Sequence, residues 1–182
     1  MRARLVGARP VVYLAAVCLA LTACGGNEGP GTVELYDRAP VPGVPDRTAA
    51  VDPTALSPDG TYWAQLLLPV DPGESSLTFR VTQAFFADAC IEELGIDDCP
   101  NDFGTLSEPS LDAIAALTDL TSVTVVTDDR ANFAITADEL SSLANGGAPA
   151  ERAPEGFAFM PFPFLLSVLD GKIVEARQIW LP

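Results

Sequence analysis

Hydrophobic and polar positions alternate most cleanly between Leu77 and Thr82. Leu77, Phe79 and Val81 fall on one side and Thr78, Arg80 and Thr82 on the other, the period-two pattern of a half-buried strand. Tyr62 to Leu68 reads as a second strand, ended by Pro69. Asp71-Pro72-Gly73 then supplies a turn, so the two runs are expected to pair antiparallel. At the C-terminus, Phe164–Leu169 and Lys172–Trp180 flank Asp170-Gly171, a dipeptide suited to a type I′ hairpin turn. Alternation in the second arm is imperfect, which predicts partial cover on both of its faces. Ser122–Thr127 and Asn132–Ile135 read as further short strands.

Two stretches change period. Phe86, Cys90 and Leu94 recur at four-residue spacing, with Ala89 beside them and Gly95 in position to end a helix. Thr136-Ala137-Asp138-Glu139 has capping-box spacing; Leu140 and Leu143 give a packing face, and Gly146-Gly147 stops it. Ile96 to Pro109 reads as an irregular loop, and Leu111 to Leu120 fits a short helix or an extended approach equally well. The sum is a single small α+β domain over residues 59–182, entered at Ser57-Pro58-Asp59-Gly60. Its sheet is mainly antiparallel, with a barrel-like closure compatible, and carries two short helices. Residues 24–58 hold Pro30, Pro40, Pro42, Pro45, Pro53 and Pro58, which interrupt helix and interior strand alike. Only Val33, Leu35 and Tyr36 cluster there, so the segment is predicted to be a flexible tether, about 30 Å long as a coil and about 100 Å when extended, with packing along the domain as the alternative for Val33 to Tyr36 alone.

The first 23 residues follow a different logic. Arg2, Arg4 and Arg9 precede an uncharged apolar run, and the small residues Thr22 and Ala23 come just before Cys24. This is the order of a secretory signal peptide. The run Val11–Ala23 is shorter than the about 20 apolar residues that span a bilayer. Plain secretion is the main rival reading, and a cysteine at the cut followed by Gly25-Gly26-Asn27-Glu28-Gly29 separates the two. Leu21-Thr22-Ala23-Cys24 resembles a bacterial lipobox, and the resemblance implies cleavage before Cys24, a diacylglyceryl group on its thiol and display on the outer face of the cell membrane.

Cleavage changes the charge as well as the address. The full chain of 182 residues carries a net charge of −15. Losing three of its ten basic residues leaves seven against 25 acids, a balance of −18 over residues 24–182. Such a chain is repelled by nucleic acid and by anionic headgroups, so nucleic acid is excluded as a partner. The expected contacts are the membrane, through the lipid on Cys24, and a protein or small-molecule ligand.

Histidine is absent, which removes Ser-His-Asp and Cys-His catalysis and histidine-ligated zinc. Cys18 leaves with the signal and Cys24 takes the lipid, so Cys90 and Cys99 are expected to form a disulfide, as befits an exported domain. Around them lie Glu92, Glu93, Asp97, Asp98 and Asp102, oxygen ligands of the kind calcium takes. Cys99 and Pro100 break the alternation an EF-hand needs, and a solvated acidic loop is the simpler expectation. No G-x-S-x-G surrounds Ser57 or Ser167, and carboxylate pairs among 25 acids arise by chance. Phe157, Phe159, Phe162 and Phe164 suit either an apolar groove or core packing, with core expected. No catalytic residue, metal ligand or cofactor is assigned.

From Asp59 onward the chain is similar to a group of uncharacterised exported bacterial proteins. The likeness rests on Asp59-Gly60-Thr61-Tyr62, on Asn101-Asp102-Phe103, and on Pro163-Phe164, Asp170-Gly171 and Trp180-Leu181-Pro182. It implies no activity. The functional expectation is a membrane-anchored, non-enzymatic binding or envelope-interaction module. The alternatives are a histidine-free hydrolase using acidic residues and a calcium-binding surface protein.

Overall fold

The computed structural model describes residues 34–70 and 73–181. Cys24, the signal segment and the Asp71-Pro72 part of the expected turn lie outside these residues. In chain order the strands are β1 (Arg38–Ala39), β2 (Gly60–Leu66), β3 (Ser76–Thr82), β4 (Ala84–Phe86), β5 (Phe103–Thr105), β6 (Leu111–Ala116), β7 (Ser122–Val126), β8 (Asn132–Ile135), β9 (Phe164–Leu169) and β10 (Lys172–Gln178). Helix α1 is Ala87–Leu94 and helix α2 is Ala137–Ala144.

Eight strands form one sheet in the order β1-β8-β7-β10-β9-β2-β3-β6, while β4 and β5 make a separate two-stranded ribbon. Every pairing is antiparallel except β7 with β10. The expected α+β domain with a mainly antiparallel sheet and two short helices is therefore present. Barrel closure is not: the sheet is open, with β1 and β6 at its edges. It curls enough for β6 to approach β10 across the inner face.

Alternation along the strands decides the two faces. Tyr62, Leu77, Phe79, Val81, Phe164 and Leu166 are wholly buried on the inner face, joined by Leu140 from α2. Full burial of each large apolar side chain contributes about 1.5–3 kcal/mol. Leu111–Ala116 resolves as strand, with Ala113 and Ala115 inward and Asp112 and Ile114 outward. The outer face is not bare. Trp63 and Leu165 pack there against Ile179 and Ala84, with Phe86 and Phe103 beside them.

The stretch expected to be irregular between Ile96 and Pro109 is partly ordered. Two 3-10 turns, at 96–98 and 100–102, lead into β5. Ribbon and α1 approach so closely that a Cβ at Gly104 would stand 2.9 Å from the Asp98 carbonyl oxygen and 3.0 Å from Cys90 Sγ. Only glycine fits there. The Cys90–Cys99 disulfide, with Cα atoms 5.9 Å apart, fastens the same unit.

The tether expectation is corrected over residues 34–58, which pack on the domain. Tyr36, Thr48 and Val51 are buried. The Tyr36 N–H donates to the Ala134 carbonyl at 2.7 Å, Thr48 N–H to Ala84 at 2.9 Å and Ala49 N–H to Thr61 at 2.8 Å. Proline prevents regular ladders along this segment, yet the backbone between prolines still finds partners and apolar side chains still bury. The sequence-based domain boundary at residue 59 accordingly moves upstream.

Candidate functional site: a groove on the outer sheet face

Helix α2 fixes one side of the N-terminal segment. Thr136 Oγ1 caps the helix by accepting the Glu139 N–H at 3.1 Å. Glu139 does not return the bond to the cap. Its carboxylate instead accepts from the Tyr36 hydroxyl at 2.6 Å and from the Ala150 N–H at 2.9 Å. Burial, then the Glu139 hydrogen bond, push the Tyr36 phenol well above its ordinary range. With Tyr36 seated there, edge-on to Phe157, the chain runs into β1 and then across the outer face of β8, β7 and β10.

Between this crossing segment and the sheet lies a groove of about 520 Å³. Its rim is Arg38 with Ala39–Gly43, and its floor is Ser122, Thr124, Ala134, Glu175 and Arg177. The floor owes its polar character to a β-bulge. A two-residue Asp170-Gly171 turn pairs Leu169 with Lys172 and Val168 with Ile173, and continued without a break it would set Ser167 against Val174. The register shifts after Ile173 and Ser167 faces Glu175 instead. The extra residue, Val174, keeps Ala176 and Gln178 buried and turns Glu175 and Arg177 outward. The same bulge explains the imperfect alternation of this arm.

Ser167 Oγ donates to Glu175 Oε2 at 2.6 Å and accepts from an Arg177 terminal nitrogen at 3.2 Å. That nitrogen also lies 3.6 Å from Glu175. Two polar atoms in the neighbourhood have no partner. Among the described residues, only Thr124 Oγ1 and Arg177 Nε are side-chain polar atoms that are both buried and unbonded. The two residues sit opposite each other across the parallel β10–β7 pair. Elsewhere the interior satisfies its polar groups. Gln178 donates to the carbonyls of Met160 and Phe162 at 2.6 and 3.1 Å and accepts the Val126 N–H at 3.0 Å.

The residues singled out from sequence are dispersed by comparison. Cys24 lies outside the described residues. Cys90 and Cys99 are joined. Of the acids around them, Glu93 pairs with Arg47 at 2.9 Å and Glu92 stands 4.0 Å from the same guanidinium, while Asp97, Asp98 and Asp102 are exposed on the 3-10 turns. Among the described residues no group of three or more His, Cys, Asp or Glu side chains is placed to hold a metal ion. Phe164 is core, Phe157 and Phe159 pack at its margin, and Phe162 is half-buried.

Arg38, Thr124, Glu175 and Arg177 carry no motif. A charged pair outward on a strand reads as a solvated face until the crossing segment is known to cover it. No family model, curated protein or solved structure matches this chain.

Proposed function

We propose that the chain is a lipid-anchored exported module that binds a ligand in the outer-face groove and performs no catalysis. The lipobox at Leu21–Cys24 supports the anchor. What carries the binding reading is the pair of buried polar atoms without partners, Thr124 Oγ1 and Arg177 Nε, under one groove of about 520 Å³. A buried polar atom left unpaired costs about 1–3 kcal/mol, and small-molecule sites occupy about 300–1,000 Å³ with few polar groups. A ligand supplying an acceptor and a donor or acceptor would relieve that penalty.

One observation favours the histidine-free hydrolase, the short Ser167–Glu175 hydrogen bond. Ser167 is not among the residues lining the groove, and Arg177 already donates to its oxygen. A cross-strand polar pair accounts for the contact.

Two measurements test the proposal. Replacing Cys24 by Ser is expected to abolish incorporation of labelled fatty acid and move the protein out of the membrane fraction; retention at the membrane without lipid overturns the anchor. A small-molecule library spanning acids, amines, sugars and neutral amides, screened by amide NMR on the Cys24→Ser chain, is expected to give shifts clustered at Thr124, Glu175 and Arg177. No clustered response from any class overturns binding.

A further inference from the structure

The groove's chemistry narrows what it takes. Its floor carries one arginine and one glutamate, Arg177 and Glu175, a local balance of zero in a chain whose overall charge is −15. Arg38 lines the rim but turns its guanidinium to the other face of the sheet, where it pairs with the inner-face residue Phe133, lies over that ring at 5.5 Å from its centroid and acts on Asp129. Arg177 shares one terminal nitrogen between Ser167 and Glu175 and leaves Nε without an acceptor. Guanidinium binds carboxylate in a planar, two-point geometry, and Thr124 offers a hydroxyl directly across the β10–β7 pair. Glu175 would oppose a dianion. The rest of the rim is apolar, formed by Ala39, Pro40, Val41 and Pro42.

We propose that this groove binds a small monocarboxylic acid with an aliphatic body, its carboxylate on Arg177 and Thr124 and its chain under residues 39–42. The proposal rests on the groove being the binding site and adds the ligand class. Access fits the way the segment is fastened. Residues 40–45 form no backbone-to-backbone hydrogen bond among the described residues, whereas both flanks are held, by β1 on β8 and by the Asp46 carbonyl accepting the Phe86 N–H at 2.8 Å. Val41 and Val44 stand 72% and 45% exposed on this strap. Outward movement between fixed ends opens the floor without unpairing the sheet.

The test uses the Cys24→Ser chain with hexanoate, hexanamide and hexyl phosphate, read by amide NMR titration. Hexanoate is expected to saturate, with the largest shifts at Thr124, Arg177 and Val41, and hexanamide to bind at least about tenfold more weakly, since it lacks the charge-assisted bond. Thr124→Val should weaken hexanoate several-fold without lowering the melting temperature, and Arg177→Gln should remove binding. Equal affinity for hexanoate and hexanamide overturns the carboxylate and leaves the groove a ligand site. Tighter binding of hexyl phosphate overturns the single-charge argument. Response to none of the three overturns the proposed class, and the wider library separately decides whether the groove binds at all.

Discussion

Thr124 and Gln178 are both buried side chains of the central strands, and they differ in whether their polar atoms are paired. Gln178 meets three backbone groups; Thr124 Oγ1 meets none. Removing an unpaired buried hydroxyl while keeping the shape should therefore stabilise the unliganded protein. Thr124→Val is expected to raise stability by about 1 kcal/mol and the melting temperature by about 3 °C, measured by calorimetry. A drop would mean the hydroxyl has a partner in solution. Tyr36 gives a second prediction at this scale. Burial and Glu139 raise its phenol above the ordinary value, and Tyr62 shifts the same way, first through burial and then through Asp59 and Asp52. The unfolded chain thus releases these protons first. Their contribution is complete below about pH 10 and is lost as pH climbs toward the native values. Urea midpoints should fall above about pH 10, and less steeply in Tyr36→Phe, which removes one of these two raised phenols. An unchanged slope would show that Tyr36 is neither buried nor held by Glu139. None of this was legible in the sequence, because Tyr36 and Glu139 are 103 positions apart and no local pattern joins them.

Elements were legible where local rules act alone. The alternation at Leu77–Val81 and the Asp170-Gly171 turn both correspond to paired strands. The four-residue spacing of Phe86, Cys90 and Leu94 marks α1, with Phe86 at its N-cap. The capping box at Thr136 formed by half, since Glu139 was recruited by Tyr36 and Ala150. Two features needed tertiary contact to decide them. Leu111–Ala116 is a strand because β3 offers it a ladder, and the β4–β5 ribbon exists because the disulfide and Gly104 bring β5 against α1. Closing the ten-residue loop from Cys90 to Cys99 contributes about 2–3 kcal/mol by the chain-entropy account. The double variant Cys90→Ala with Cys99→Ala should lose about that much. Hydrogen exchange should accelerate in α1, the 3-10 turns and β5, while β2, β3 and β6 keep their protection. Equal acceleration throughout the large sheet would show that ribbon and sheet open as one unit.

For the molecule as a whole, the decisive difference is whether residues 34–58 belong to the domain. A tether through residue 58 leaves Arg38 and Arg47 in mobile chain, open to trypsin, which needs several residues extended around the cut. In the fold, Arg38 lies in β1 with its neighbour Ala39 paired to Asn132. Arg47 bridges to Phe85 and contacts Glu92 and Glu93. The two arrangements also set different distances from the membrane. If Cys24 carries the lipid, the ten residues 24–33 outside the described region span at most about 36 Å when fully extended, against the about 100 Å open to a tether ending at residue 58. Limited trypsin digestion of the Cys24→Ser chain is expected to leave the bonds after Arg38 and Arg47 intact under native conditions. Both should be cut once urea unfolds the domain. Rapid native cleavage at both Arg38 and Arg47, with residues 48–182 surviving as a core, would restore the longer tether. It would also remove the strap from the groove, so the same digestion bears on whether Thr124 and Arg177 lie beneath a covered site or on an open strand face.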